Sequence, residues 1–241
     1  MENRIIVDVG ANNGDDTDFY LRKGFDVIAI EADPVLCRSI NSRYKQYILD
    51  KRLILHNFAI TNEEKEVDFY INSWSSWSSL FKSSKAVSEN EYKTLKVQGK
   101  TLDSVLKGVN NIYYIKIDIE GGELSAIESI KNWSRMPPYI SFEMDSSWPK
   151  ILEILVDLGY KAFQLIRQGK DYLKPLDSSK EGSTININFT NHHSGAFGKD
   201  LTNPWMSKEE VSVHYGGTPD FLGVKKQGEG WYDIHAKHKD V

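Results

Sequence analysis

The chain reads Ile5-Ile6-Val7-Asp8-Val9-Gly10-Ala11-Asn12-Asn13-Gly14 near its start. The first half of this stretch is β-branched apart from one acid, and such a run predicts a buried strand of a parallel sheet. The second half holds two glycines, which permit a tight turn and a close backbone approach to a ligand. Residues 15–23 then have helical character and end at Gly24. A strand, a glycine-containing turn and a helix in succession predict the first unit of an α/β fold.

The same alternation continues along the chain. Further strands are predicted over 26–31, 52–57, 112–118, 139–143 and 160–166, and helices over 33–47, 101–106, 123–133 and 150–158. Residues 66–71 alternate between polar and apolar, which indicates an antiparallel or edge strand, and 183–190 is expected to be the last strand. Repeated strand–helix–strand units predict a Rossmann-like, doubly wound and mostly parallel sheet, with an antiparallel pair at one edge.

Two segments do not follow this alternation. Residues 72–85 are rich in Ser and Trp without a clear period, which predicts a long loop, and long loops in compact domains are often functional. Residues 191–241 contain Gly, His and Trp with little periodicity. We therefore expect one domain over 1–190 and an irregular extension over 191–241 that packs on the same domain.

Composition narrows the class of protein. The net charge of −4 and the sequence pI of about 5.9 disfavour a nucleic-acid-binding protein, which usually carries a basic face. No apolar stretch approaches the roughly 20 residues that cross a bilayer, and an acid interrupts the first apolar run too early for a signal peptide. The one cysteine, Cys37, is expected to be a buried structural thiol in a reducing compartment. These features predict a cytoplasmic protein without membrane or nucleic-acid partners.

The turn after the first strand is a candidate cofactor site. A dinucleotide site expects Gly-x-Gly-x-x-Gly, whereas this turn has Gly10 and Gly14 separated by three residues. Acids on both sides of the turn, Asp8 before it and Asp15-Asp16 after it, would repel a pyrophosphate and favour a cationic ligand such as S-adenosylmethionine (SAM). Glu31, at the end of the second strand, can accept hydrogen bonds from both ribose hydroxyls.

A second group of acids follows the central strand. Asp118 and Glu120 lie at its end, and Glu143 ends the next strand, so all three are expected at the ligand-binding edge of the sheet. Such a cluster suits proton abstraction, binding of a substrate hydroxyl, or a divalent cation. Glu123 fits capping of the following helix equally well, and Lys116 is expected to pair with one of the acids.

Histidines and tryptophans supply further candidates. His192 and His193 follow the last predicted strand, where they either form a polar turn or overhang the crevice as a base. Trp74 and Trp77 either form an aromatic surface for a sugar ring or anchor their loop on the core, and the same alternatives apply to Trp205 and Trp231. His56 is expected to be structural, within a strand.

Several motifs together resemble the FkbM family of SAM-dependent methyltransferases. They are Asp8-Val9-Gly10-Ala11-Asn12-Asn13-Gly14, Glu31-Ala32-Asp33-Pro34, Asn57-Phe58-Ala59, Thr101-Leu102-Asp103 and Lys116-Ile117-Asp118-Ile119-Glu120-Gly121-Gly122-Glu123. The resemblance covers roughly the first 145 residues and implies an O-methyltransferase that acts on a sugar, glycan or polyketide-type small molecule.

The resemblance also implies roles for individual residues. The residues implied to bind the cofactor are Asp8, Gly10, Asn12, Gly14 and Glu31. Asn57 and Ala59 would lie near the adenine, and Asp118 and Glu120 would line the reaction crevice. Two alternatives to an O-methyltransferase remain at this point, a nicotinamide-dependent oxidoreductase and a SAM-binding protein without turnover.

Overall fold

The computed structural model describes residues 4–72, 78–80, 92–168, 176, 179–216 and 232–241. The strands are β1 (Ile5–Val9), β2 (Asp26–Ile30), β3 (Leu53–His56), β4 (Ala59–Ile60), β5 (Glu66–Asn72), β6 (Tyr92–Lys100), β7 (Ile112–Ile117), β8 (Tyr139–Glu143), β9 (Tyr160–Arg167) and β10 (Tyr232–His238). The helices are α1 (Asp15–Arg22), α2 (Pro34–Arg43), α3 (Lys45–Leu49), α4 (Leu102–Leu106), α5 (Glu123–Ser129), α6 (Trp148–Asp157) and α7 (Lys208–Gly216), with a short 3-10 helix at Gly198–Asp200.

The central sheet has seven strands in the order β3-β2-β1-β7-β8-β10-β9. Neighbouring strands are parallel from β3 to β8, and β10 runs antiparallel to both β8 and β9. The predicted α/β fold with a mostly parallel sheet is therefore confirmed. The chain moves from β1 outward to β3 and returns to the other side of β1 with β7. Such a reversal of strand order opens a ligand crevice at the carboxyl ends of the two strands.

Local sequence places the first two helices at this crevice. α1 begins directly after Gly14 and carries three acids in its first turn, which complement the partial positive charge of a helix N-terminus. α2 begins at Pro34, and the side chain of Asp33 accepts a hydrogen bond of 2.7 Å from the Val35 amide as its N-cap. Both helices follow strands of the parallel sheet, so both begin at its carboxyl edge.

The two faces of the sheet are covered by different parts of the chain. Helices α4 to α7 pack on one face, where they bury apolar side chains of all the strands from β2 to β9 in the sheet order. On the other face α1, α2 and the segment 185–201 pack around a group of aromatic rings. Phe197 is stacked on Tyr114 there with ring centroids 4.9 Å apart, and it also contacts Tyr20 and Phe25 edge-on. The segment 185–201 is thus part of the core.

A row of polar side chains crosses the second face. Cα pairing connects its members from strand to strand in the order Asp8, Lys116, Ser141, His235 and Gln164. All five are buried, and we call them the polar row. Because polar groups are costly to bury, a row of this kind at the centre of a sheet indicates a functional or structural requirement beyond hydrophobic packing.

The sequence-based prediction of a last strand over 183–190 is wrong. These residues make no ladder, and Ile187 and Phe189 instead pack across the face of the sheet. The strand beside β9 is β10, which lies within the predicted extension and was not predicted. A division of the chain at residue 190 stays a prediction, but β10 completes the central sheet between β8 and β9.

Smaller differences concern the remaining elements. The predicted antiparallel strand over 66–71 is confirmed as β5, which pairs with β6, and β6 and α7 were not predicted. The helix predicted over 33–47 is interrupted at Tyr44, and the helix predicted to reach Trp133 ends at Ser129. In the ranges given above, no helix combines the length and the apolar character that a membrane crossing requires.

Candidate active site

A cavity that is open to solvent lies at the carboxyl ends of β1 and β7. Residues from the turns after β1, β2 and β7 line it, together with Glu143 at the end of β8 and the residue that follows β9. The segment 191–194 also reaches it. This is the crevice that the strand order predicts.

Gly10 and Gly14 shape the turn between β1 and α1. Gly10 has a φ of +85°, and a Cβ atom at this position would lie 1.8 Å from the carbonyl oxygen of Asp118. The turn therefore approaches the end of β7 more closely than a side chain would permit. Gly14 has a φ of +84° and packs against Tyr44, whose hydroxyl donates to the Gly14 carbonyl at 3.0 Å. Gly10 lines the cavity, whereas Gly14 fixes the turn from outside it.

Glu31 lies directly after β2 and is 6% exposed. Its Oε2 accepts a hydrogen bond from the Asn12 amide and its Oε1 one from the Asp33 amide, both at 2.7 Å. Burial raises the pKa of Glu31 to about 7, although the two amide donors lower it. Each carboxylate oxygen has a second lone pair, so the group can accept two further hydrogen bonds from a diol.

The residues that follow β3 have two functions in the site: one supports the Glu31 turn, and the others line the cavity. The side-chain amide of Asn57 donates to the carbonyls of Glu31 at 2.9 Å and Ala32 at 3.1 Å, so Asn57 stabilises the Glu31 turn. It does not line the cavity, whereas Ala59 does, together with the apolar side chains of Phe58 and Ile60. These three residues give the cavity an apolar side that can accommodate a planar ring.

Lys116 lies at the centre of the acids around the β1–α1 turn. Its Nζ is 3.3 Å from an oxygen of Asp8, 3.1 Å from Asp16 and 3.6 Å from Asp118. Burial by itself would lower the pKa of Lys116, but attraction to these carboxylates raises it well above its ordinary value. Lys116 therefore forms ion pairs with three acids, where the sequence predicts a pair with one.

Asp8 is one of these three acids and does not line the cavity. Its Oδ2 accepts a hydrogen bond of 2.6 Å from the Thr17 hydroxyl, and burial raises the pKa of its carboxyl. Asp16 does line the cavity, and its carboxylate accepts hydrogen bonds from the Ser194 amide at 2.9 and 3.1 Å. Asp16 thus connects α1 to the segment that covers it.

Asp118, Glu120 and Glu143 all line the cavity, as the sequence predicts they should. The side chain of Asp118 is 33% exposed, and Glu120 has a left-handed backbone with a φ of +53°. Burial raises the pKa of the Glu143 carboxyl well above its ordinary value, and the charges of Asp118 and Glu120 raise it further. The three side chains make one side of the cavity strongly acidic.

Glu123 supports this acidic side from behind. It is fully buried, and its carboxylate accepts hydrogen bonds from the amides of Ile119 at 2.9 Å and Gly121 at 2.8 Å. Burial raises the pKa of Glu123 to about 8, against the effect of these donors. Glu123 is absent from the cavity lining, so its position fits support of the turn that carries Asp118 and Glu120.

His192 and His193 occupy a polar turn that borders the cavity, and a role of either as a base stays a prediction. The His193 amide donates to the Thr190 carbonyl at 3.1 Å, and the His193 ring contacts Phe189. His192 is exposed at the cavity rim.

Other candidates lie away from the cavity or outside the described residues. Trp205 packs near Tyr139 and beneath the Lys237 ammonium group, so its role is structural. His56 lies in β3, as expected, while Cys37 in α2 is only partly buried, contrary to expectation. Trp74, Trp77 and Trp231 fall outside the described residues.

Two residues of the cavity region had no counterpart in the sequence-based prediction. Gln168 lines the cavity directly after β9, and its position at a strand end was a usable signal. Asp233 lies in β10 beside Glu143 and offered no signal, because β10 itself was not predicted. Among the residues whose placement is described, no three His, Cys, Asp or Glu side chains are arranged to hold a metal ion.

A model of the methyltransferase FkbM domain matches residues 8–162. The chain belongs to the FkbM methyltransferase family. It is therefore a SAM-dependent methyltransferase, and the nicotinamide-dependent alternative is excluded. The matched region contains the end of β1, all of β2 to β8 and most of the cavity lining, but not Gln168, the 191–194 turn or β10.

Other comparisons concern whole sequences and solved structures. No curated protein matches the methyltransferase in sequence. An rRNA methylase from Streptococcus thermophilus is 12% identical over 98% of this chain and 87% of that chain, with a TM-score of 0.44. A precorrin-6y C5,15-methyltransferase from Geobacter metallireducens is 12% identical over 98% and 80%, with a TM-score of 0.40. M. capricolum TrmK in complex with S-adenosyl-homocysteine is 9% identical over 99% and 63%, with a TM-score of 0.43.

The residues of the methyltransferase fit SAM. Oδ1 of Asn12 is a buried acceptor at the cavity without a hydrogen-bond partner among the described residues, and it suits a donor such as an ammonium group. Glu31 has the acceptors for a ribose diol, and Phe58 with Ile60 forms an apolar surface suited to adenine. The acidic side of the cavity favours a positively charged sulfonium over a pyrophosphate.

Proposed function

We propose that the protein transfers the SAM methyl group to a hydroxyl of a neutral, polar small molecule, most simply a sugar or a glycan. One observation carries the proposal: Asp118, Glu120 and Glu143 line the same cavity as Glu31 and the β1–α1 turn. A carboxylate accepts a hydrogen bond from a hydroxyl, so these side chains can bind and orient an alcohol beside the cofactor. The same charges repel a phosphate or carboxylate acceptor.

The chain's own groups then have two tasks. SAM, when bound, supplies an activated methyl group, so the protein chiefly positions the acceptor and removes its proton. An alcohol is a poor nucleophile until its proton can leave, and a carboxylate within hydrogen-bond reach can accept that proton. Asp118 is an accessible candidate, since its side chain is 33% exposed while it remains paired with Lys116. Glu120 and Glu143 can supply further hydrogen bonds to a polyol.

Three finer aspects belong to the proposal. The single thiol supports a reducing compartment such as the cytoplasm as the place of the reaction. The negative charge of the cavity supports a small-molecule or glycan acceptor over a nucleic acid. A divalent cation bound with the acceptor is a possible additional component, which chelation of the assay mixture tests directly.

Methyl transfer from labelled SAM to three acceptor panels tests the proposal. One panel contains sugars and other neutral polyols, one contains amines, and one contains carboxylic acids. We expect labelled methyl ethers from the first panel. Methylation confined to amines or to carboxylates would contradict the proposed O-methylation.

Variants of the acids test the role of the acidic side. Asp118→Asn and Glu120→Gln keep the side-chain shape and remove the charge, so SAM affinity should largely persist. If one of the two carboxylates accepts the proton, its variant should lose about 10²–10⁴-fold in turnover. Glu128→Gln on α5, which removes a carboxylate paired with Lys150 outside the cavity, is the matched control. Parent-like turnover in both cavity variants would direct the search for the base to His192 and His193.

A further inference from the structure

A carboxyl and an amide beyond the matched family region meet beside the acidic side of the cavity. Nε2 of Gln168 donates a hydrogen bond of 2.7 Å to Oδ1 of Asp233. Gln168 lines the cavity together with Asp118, Glu120 and Glu143. Asp233 is 5% exposed and lies behind Gln168, outside the cavity lining.

The backbone holds Asp233 from both sides. In the antiparallel ladders of β10, Asp233 is opposite Glu143 on β8 and opposite Ile166 on β9. Because β10 is paired along both edges, the Cα position of Asp233 is fixed more firmly than that of a loop residue. Gln168 follows β9 by one residue, so the Asp233 carboxyl is a fixed acceptor for a side chain at the end of a strand.

Asp233 occupies a position that is unfavourable for a carboxyl group. Burial raises its pKa well above the ordinary value, and the charge of Asp118 raises it further, whereas the hydrogen bond from Gln168 lowers it. A buried carboxyl reduces the free energy of unfolding unless hydrogen bonds compensate for lost hydration. The contact with Gln168 is such a compensation, and it also fixes the orientation of the amide.

We propose that Gln168 binds a hydroxyl of the methyl acceptor, and that Asp233 is a positioning residue that fixes the Gln168 amide for this contact. The proposal rests on the proposed O-methyltransferase function. Ionised carboxylates only accept hydrogen bonds, whereas a hydroxyl both donates and accepts. The second N–H of the Gln168 amide supplies a donor, so Gln168 complements the three acids in the recognition of a polyol.

The orientation of the amide follows from the Asp233 contact. With Nε2 directed at Oδ1 of Asp233, Oε1 of Gln168 is placed on the other side of the amide group. The reverse orientation would put the Gln168 carbonyl oxygen against Oδ1 of Asp233, which could donate a hydrogen bond only if that oxygen carried the carboxyl proton. Asp233 therefore selects one of two amide orientations, and in this way influences which acceptor hydroxyl is bound.

Steady-state kinetics test the assignment, with a polyol from the acceptor panel that the parent enzyme methylates as the substrate. Gln168→Leu should raise the acceptor KM by about 3- to 10-fold, the loss expected for one hydrogen bond. The kcat and the SAM dissociation constant should stay close to the parent values, because the lost contact concerns acceptor binding. Asp233→Leu should raise KM to a similar extent, and the double variant should show no more than the larger single effect.

Two further variants separate positioning from a general structural effect. Asp233→Asn retains an oxygen that can accept from Nε2, so it should restore a KM close to that of the parent. Gln164→Leu is the matched control, because Gln164 lies in β9, the strand that Gln168 follows. Its side chain is fully buried and has no hydrogen-bond partner among the described residues. It should leave KM unchanged. Melting temperatures of all variants identify any that fail to fold.

The outcomes separate this proposal from the one on which it rests. A parent enzyme that methylates no hydroxyl in the panel overturns the proposed function and the Gln168 assignment with it. If the parent methylates a polyol and Gln168→Leu keeps the parent KM, only the Gln168 assignment is overturned. A double variant with multiplied single effects, or an Asp233→Asn variant as impaired as Asp233→Leu, overturns the positioning role.

Discussion

At the scale of single residues, Glu31 combines a structural and a ligand-binding arrangement in one carboxyl group. Two backbone amides each donate to one of its oxygens, and Glu31 also lines the cavity, where a ligand can donate to the remaining lone pairs. Burial has raised its pKa to about 7, so the group titrates near neutral pH. Hydrogen bonds from two ribose hydroxyls would stabilise the ionised form of Glu31, because a protonated carboxyl carries its own proton on one of the two oxygens.

Glu31→Ala should therefore weaken SAM binding by about 1.5–3 kcal/mol, the range for a hydrogen bond to a charged group. In the parent, affinity should decrease as the pH falls through about 7, since protonation removes one acceptor. The alanine variant should lack this dependence. Calorimetric titration at pH 6, 7 and 8 measures both effects. Glu63→Ala, which changes an exposed carboxylate paired with Lys65, is the control. Equal affinity in the parent and Glu31→Ala would show that Glu31 does not bind the ribose.

At the scale of elements, the β1–α1 turn shows what local sequence can specify. Gly10 and Gly108 both have a positive φ, of +85° and +80°. A Cβ atom at Gly10 would lie 1.8 Å from the Asp118 carbonyl oxygen, whereas at Gly108 it would meet nothing within 4 Å. A side chain at either position incurs the cost of a left-handed backbone, roughly 1–2 kcal/mol. At Gly10 it must also displace the end of β7.

We expect Gly108→Ala to lower the free energy of unfolding by about 1–2 kcal/mol. Gly10→Ala should lower it by more and should also weaken SAM binding, because the turn and β7 move apart. Urea denaturation and a SAM titration of the two variants measure the difference. Equal losses of stability in the two variants, with SAM affinity unchanged, would contradict a requirement for this close approach.

The elements also show why part of the fold was predictable and part was not. β1, β2, β7 and β8 are short apolar runs that end at Gly or at an acid, and the residues at their ends were correctly expected at one edge. Residues 183–190 alternate between polar and apolar without forming a strand, because alternation reports burial of one side of an extended segment and not hydrogen bonding to a neighbour. Ile187 and Phe189 bury that side on the sheet face.

β10 failed to stand out for the opposite reason. Its sequence, Tyr232 to His238, places Asp233 and His235 at buried positions, where a strand would normally carry apolar residues. The burial of these side chains depends on partners from distant parts of the chain, Gln168 for Asp233 and the Tyr114 ring for His235. No local pattern contains that information, so the part of the cavity next to Gln168 could not be predicted from the sequence of β10.

At the scale of the whole molecule, burial of several acids and of one histidine makes the free energy of unfolding depend on pH. The acids and the histidine change it in opposite directions. Burial raises the pKa of Glu31 to about 7 and of Glu123 to about 8, against unfolded values near 4.3. Their contribution to stability is fully present below about pH 4.3 and is lost as the pH rises through the folded values. Glu143 and Asp233 are shifted in the same direction.

His235 changes the stability in the opposite direction, and it does so over a lower range of pH. Burial lowers its pKa to about 3, while the unfolded value is near 6.5. The unfolded chain therefore binds a proton at His235 that the folded chain does not, and stability is lost as the pH falls below about 6.5. Above that pH the contribution of His235 is constant, whereas the contribution of the buried acids continues to change. The raised pKa of Lys116 lies beyond this window and leaves the sign unaltered.

The free energy of unfolding should consequently fall between pH 6.5 and about pH 8, by up to about 1.4 kcal/mol per pH unit for each acid whose charge differs between the two states. Urea denaturation at intervals of half a pH unit measures this slope. Glu123→Gln removes one of the titrating groups and should flatten the slope, whatever its effect on stability at a single pH. Glu128→Gln, which makes the same substitution at a partly exposed position on the same helix, is the matched control. A stability that is flat or rising over this range in the parent would mean that the buried acids are ionised in the folded chain throughout, held by the amide donors and Lys116 against the cost of burial.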